Sequence, residues 1–166
     1  MEIRRILVPY DSSVFSENAL DYAVYLANAL SKSNPNSQHI KILIFHVIDE
    51  LPVTKAILDK MTSSYAKEKP TFDRCIESIY HEIRVLMEED INEKKQKYKF
   101  IEGISIESSI TYGDPTNRIV EYVNDSMIDM IIIGSNGLHG LAKIKGLGSI
   151  SRKVSENVEC PIVIIR

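Results

Sequence analysis

The chain has 166 residues, 44% hydrophobic and 26% charged, with a formal net charge of −3 and a pI near 5.8. That length suits one domain over residues 1–166, able to bury its core without disulfides or metals. The weak acidity excludes the basic field that gathers DNA or RNA, and no disordered or repetitive bias is present.

Met1 is followed by Glu2, Arg4 and Arg5 and then by a short apolar run, too brief for a signal peptide or a membrane span. A cytoplasmic protein with no membrane partner is expected. Ile3 to Val8 reads as a buried strand cut off by Pro9, with Asp11-Ser12-Ser13 at a strand-to-helix junction. Phe15, Ala19, Ala23, Leu26 and Leu30 then fall at helical spacing until Asn34-Pro35-Asn36 stops the pattern, predicting about five turns.

Ile40 to Ile48 is almost continuously apolar, which predicts a parallel strand covered on both faces. His46 within it reads as a hydrogen-bonded core histidine. Residues 49–70 have weak periodicity and form an excursion with one short helix over 53–61. Phe72, Ile76, Ile79, Ile83 and Leu86 mark a long amphipathic helix running through Ile91. Its end carries Glu88-Glu89-Asp90 and then Lys94, Lys95, Lys97 and Lys99, read as a solvated helix terminus.

Ile104 to Ile110 alternates apolar and polar residues, predicting a strand with one wetter face at a sheet edge. Asp114 and Pro115 are an N-cap and a first helical position; Ile119, Val120, Val123 and Met127 form the stripe to be buried. Met130 to Ile133 is a further buried strand, with Met127 and Met130 read as core. Ile150, Val154 and Asn157 give one face of a last helix, and Pro161 to Ile165 a last strand. Alternation of strand and helix demands an α/β fold: an open five-stranded parallel sheet with helices on both faces.

Ligands on such sheets bind beyond the carboxyl ends of the strands, and two loops there have suitable chemistry. In Pro9-Tyr10-Asp11-Ser12-Ser13, the carboxylate either accepts hydrogen bonds from a ribose, holds a hydrated cation, or caps the helix. The segment from Gly134 to Ser149 holds five of the seven glycines: Gly134-Ser135-Asn136-Gly137, then Gly140, then Gly146-Leu147-Gly148-Ser149 at a helix start. Glycines free to adopt positive φ and a helix N-terminus make a phosphate cradle in outline. A flexible surface loop is the plainer alternative. A Walker A loop is excluded because no lysine precedes Ser149, and a dinucleotide fingerprint because no glycine follows the first strand. His139, Lys143 and Lys145 lie within the loop; His39 and His81 have no partner at metal-ligand spacing. Cys75 and Cys160 stand in dissimilar contexts, imply no disulfide framework or CxxC site, and point to a reducing compartment.

Gly134-x-x-Gly137, a gap, Gly148-Ser149 before Ile150-Ser151-Arg152-Lys153-Val154, and the ending Cys160-Pro161-Ile162-Val163-Ile164-Ile165 together resemble the universal stress protein family and its G-x2-G-x9-G-(S/T) signature. Ile6-Leu7-Val8-Pro9-x-Asp11-x-Ser13 and His46-Val47-Ile48 match as well. This chain has one residue more than the signature between Gly137 and Gly148; a bulge at Gly146 would absorb it, or the Gly148-Ser149 amides would move away.

The resemblance implies a Rossmann-like strand order of 3-2-1-4-5 and a binding protein for ATP or AMP. By position, Pro9, Tyr10 and Asp11 would border the ribose and the Val47 backbone the adenine. Gly134, Gly137, Gly148 and Ser149 would hold the phosphates, with Ser135 and Ile150 also nucleotide-binding and Mg2+ or Mn2+ coordinated mainly by phosphates and water. It also implies a homodimer through residues 161–165. A regulatory or stress-response protein is expected, with no catalytic residue, no metal ligand of its own and at most slow ATP hydrolysis. A non-nucleotide interaction module of the same fold is the alternative. A phosphotransferase or receiver ranks below it, since Asp11 has no acidic neighbour in its loop.

Overall fold

The computed structural model describes residues 2–33, 39–49, 69–137 and 146–166, without the side chains of 69–73 and 75. The expected helix over 53–61 and loop residues His139, Lys143 and Lys145 lie outside the described residues. Chain order is β1 (Arg5–Pro9), α1 (Val14–Ser33), β2 (Ile40–Ile48), α2 (Lys69–Lys97), β3 (Ile104–Tyr112), α3 (Pro115–Asp125), β4 (Met130–Gly134), α4 (Ser149–Asn157) and β5 (Ile162–Ile165).

The strands make one sheet in the order β3-β2-β1-β4-β5, all neighbours parallel. The expected strand order is therefore the observed one, with β3 and β5 at the edges. Side chains on a strand alternate between faces, and here both faces are covered. Ile6, Val8, Ile42, Ile44 and Ile132 join Leu20, Ala23 and Ala27 of α1 and Ile91 of α2 in one core. Leu7, Leu43, Phe45, Ile131 and Ile133 join Ile119 and Val123 of α3 and Val154 of α4 in the other. The continuous apolar runs of β1, β2 and β4 are thus two half-patterns, one for each layer.

Three sequence readings need correction. Helix α2 begins at Lys69, inside the expected excursion, and its inward residues are Met87 and Ile91; Leu86 is 66% exposed. A long helix with one end over the sheet buries only the part of its stripe that reaches the core. Met127 is 72% exposed because α3 stops at Asp125 and the chain turns through a positive φ of 49° at Met127, handing the buried position to Ile128. In α4 the inward residues are Ser151 and Val154, so Ile150 looks outward.

The lysine cluster also does more than end a helix. Lys94 reaches Glu17 of α1 at 2.5 Å, Lys97 reaches Asp21 at 3.3 Å, and Tyr98 hydrogen-bonds to Asp21. These pairs tie α2 to α1 across the surface of their shared layer.

Candidate functional site

Strand β1 continues to β2 on one side and lies beside β4 on the other, so the connections leave a crevice at the carboxyl ends of β1 and β4. A cavity of about 440 Å³ occupies that position. Its walls come from the ends of β1 (Pro9, Tyr10, Asp11), β2 (Phe45, His46, Val47) and β4 (Ile133, Gly134), and from the starts of α3 and α4. The volume lies in the range of ~300–1,000 Å³ typical of small-molecule and cofactor sites.

Of the residues singled out in the sequence, Pro9, Tyr10, Asp11, Val47, Gly134, Gly137, Gly148, Ser149 and Ile150 line this cavity. Ser135 does not; its backbone is occupied by the fold. Its N–H donates to the Ile165 carbonyl at 2.6 Å, and its carbonyl accepts from the Gly148 N–H at 2.7 Å and the Ser151 hydroxyl at 2.9 Å. Those two bonds to one carbonyl return the distal end of the loop to its proximal end. The extra residue between Gly137 and Gly148 therefore leaves both glycines on the same wall.

The glycines act differently from the positive-φ role expected of them. Among the described glycines, positive φ belongs to Gly103 and Gly113, away from this loop. At Gly134 a Cβ would lie 2.7 Å from the Phe15 backbone carbon, so glycine is what lets the first turn of α1 close on the end of β4. At Gly137 a Cβ would lie 2.6 Å from the Asp11 carboxylate, so glycine there makes room for that group.

Gly148, not Ser149, is the N-cap of α4, with φ −60° and ψ 158° and no side-chain cap. The first-turn amides of a helix have no partner within the helix, and they carry the positive end of its dipole. Here that first turn, Ser149 to Ser151, forms part of the cavity wall.

Asp11 is positioned by its own loop. Its Oδ1 accepts the Ser13 N–H at 3.1 Å, and its own N–H donates to the Ser16 hydroxyl at 3.3 Å. Capping of α1 falls to Ser13, whose hydroxyl accepts the Ser16 N–H at 3.2 Å. The carboxylate thus borders the cavity instead of capping the helix.

Several wall residues carried no functional signal in the sequence. Phe45, Ile119 and Ile133 look like core positions, and only the sheet order brings them to one crevice. His46 is buried as expected, with Nδ1 2.7 Å from the Tyr10 carbonyl, yet it also lines the cavity. A carbonyl only accepts, so Nδ1 carries the proton in the neutral ring. Burial lowers the His46 pKa, outweighing the Tyr10 carbonyl, which favours the protonated form. The Tyr10 phenol is held away in the α1 and α2 core; burial, and then its bond to Asp90, raise its pKa. The described residues hold no cluster of metal-ligating side chains and no helix long and apolar enough to cross a membrane.

The family model for the universal stress protein family matches residues 2–166. Universal stress protein YxiE of Bacillus subtilis is 30% identical over 162 residues, spanning 98% of both chains. Among solved structures, universal stress protein UspA from Lactobacillus plantarum superposes with a TM-score of 0.71 at 20% identity, over 100% of this chain and 99% of that one. A universal stress protein crystallised in complex with cAMP gives a TM-score of 0.58 at 20% identity, over 100% of this chain and 98% of that one.

Proposed function

The chain belongs to the universal stress protein family, and from that premise we propose that its cavity binds an adenine nucleotide and that the protein acts as a nucleotide-responsive regulatory or stress-response factor. One observation carries the reading: a single crevice gathers an apolar wall, a carboxylate and the uncapped first turn of a helix. A purine needs flat apolar cover, a ribose needs an acceptor, and phosphates need amides. Phe45, Val47, Ile119 and Ile133 offer the first, Asp11 the second, and Gly137 with Gly148 to Ile150 the third. The cAMP-bound relative supports an adenine nucleotide as the ligand class.

In this reading Pro9, Tyr10 and Asp11 border the ribose, the Val47 backbone meets the base, and Gly134, Gly137, Gly148, Ser149 and Ile150 surround the phosphates. Ser135 contributes by joining the two ends of the loop. A Mg2+ or Mn2+ ion would ride with the phosphates, coordinated by them and by water. Among the described wall residues Asp11 is the one carboxylate and His46 the one imidazole, so binding with at most slow hydrolysis is proposed over turnover.

Titration calorimetry with ATP, AMP and cAMP in the presence of Mg2+ tests the reading. Saturable binding is expected, lost in Gly137→Val with the fold retained by circular dichroism. Folded protein that takes up none of the three at millimolar concentration removes the nucleotide assignment and leaves an interaction module of this fold.

We also propose a homodimer through β5. The two sheet edges differ in chemistry: β3 carries Glu107, paired with Lys41 at 2.6 Å, among serines, whereas β5 is Ile-Val-Ile-Ile. An apolar uncharged edge needs cover, and a second copy of the same strand supplies it.

A further inference from the structure

Helix α2 packs over β2 and β3, yet one of its carboxylates reaches the loop after β1. Asp90 Oδ2 accepts the Tyr10 hydroxyl at 2.8 Å and the Ser12 hydroxyl at 2.6 Å. Both donors flank Asp11. Ser12 also contacts the Met87 sulfur at 3.6 Å and sits at φ +62°, a region an L-residue other than glycine seldom enters. The Lys94 ammonium lies 3.8 Å from Asp90 and 2.5 Å from Glu17, linking the same carboxylate to α1.

The Tyr10 and Ser12 hydroxyls both meet Asp90 of α2, while Asp11 between them lies on the cavity wall. There Gly137 leaves space for its carboxylate. One acceptor on a distant helix therefore adds, through both neighbours of Asp11, to the hold that Ser13 and Ser16 place on it.

Resting on the nucleotide reading above, we propose that Asp90 is a positioning residue for the cavity, holding the Tyr10–Ser12 loop so that Asp11 faces a ribose and tying occupancy of the cavity to helix α2. Two groups that bias one element are coupled in both directions. A nucleotide hydrogen-bonded to Asp11 steadies the loop, and through Tyr10 and Ser12 it steadies the turn of α2 around Asp90. Without Asp90, Ser12 loses the partner that holds its left-handed backbone, and Asp11 keeps only its local contacts to Ser13 and Ser16.

The test compares ATP with 2′,3′-dideoxy-ATP by calorimetry, because only the ribose hydroxyls report on Asp11. Wild-type protein is expected to prefer ATP. Asp90→Ala is expected to shrink that preference by about fivefold or more, and Asp11→Ala added to it should shrink it no further. A merely structural defect would weaken both ligands alike and leave their ratio unchanged. Hydrogen exchange supplies the reciprocal measurement: ATP should slow the amides of α2 near Met87 and Asp90 in the wild type and not in Asp90→Ala. Should Asp90→Ala fail to fold, Tyr10→Phe and Ser12→Ala, each removing one donor, take its place with the same readout. An undiminished ATP preference in these variants overturns the role of Asp90 while leaving the nucleotide reading intact. Wild-type protein that binds neither ligand overturns both.

Discussion

Two glycines of the loop make the sharpest contrast. A Cβ at Gly134 meets the backbone of Phe15, which cannot move without shifting α1, whereas a Cβ at Gly137 meets the tip of the Asp11 side chain, which can rotate. Gly134→Ala is therefore expected to lower the urea midpoint by the equivalent of about 1–3 kcal/mol, and Gly137→Ala to leave it nearly unchanged while weakening nucleotide binding. Equal midpoint losses would contradict this assignment. His46 makes a second residue-scale prediction. Its folded pKa lies below the ordinary value near 6.5 because burial disfavours the charged ring. Between the two values the unfolded chain binds the extra proton, so stability rises with pH across that window. The contribution is fully present above about 6.5 and is lost as pH falls towards the folded value. Denaturation from pH 7.5 down to 5 should show this decline, and His46→Gln should remove its share; an identical decline in the variant would place the linkage elsewhere.

Among the elements, α3 shows how local chemistry suffices to start a helix. Asp114 accepts the Asn117 N–H at 2.8 Å and Pro115 occupies the first helical position, as the residues alone imply. Asp114→Ala should cost about 1 kcal/mol of stability, readable by thermal melting, and Asp114→Asn should restore most of it. The other end of α3 needed more than local signals, since its last turn gives way at Ser126 and exposes Met127. Helix α2 is the larger instance. Its apolar spacing was visible from Phe72 onward, but which residues meet the sheet depends on where β2 and β3 end. The ion pairs from Lys94 and Lys97 to α1 join residues more than seventy positions apart, and no periodicity registers them.

For the whole molecule, the two edges of the sheet differ in chemistry, and the proposed dimer rests on that difference. If β5 is the dimer edge, sedimentation at micromolar concentration should give a dimer, and Val163→Lys, which puts a charge on that strand, should give a monomer with the same far-ultraviolet spectrum. A wild-type monomer under those conditions would remove the β5 proposal. The strand and helix alternation, the buried runs at Ile6–Val8, Ile40–Ile48 and Met130–Ile133, the Asp114 cap and the glycine loop after β4 were all determined by sequence alone. Each is set by neighbours within a few residues, through side-chain spacing, turn chemistry and the lack of a Cβ. Tertiary structure decided which of these meet: Phe45 and Ile119 at one cavity with Asp11, Gly134 against Phe15, Ser135 closing its own loop, and Asp90 beneath Tyr10 and Ser12. Those contacts are absent from any local pattern because they arise when parallel strands are set side by side in an order the chain does not follow.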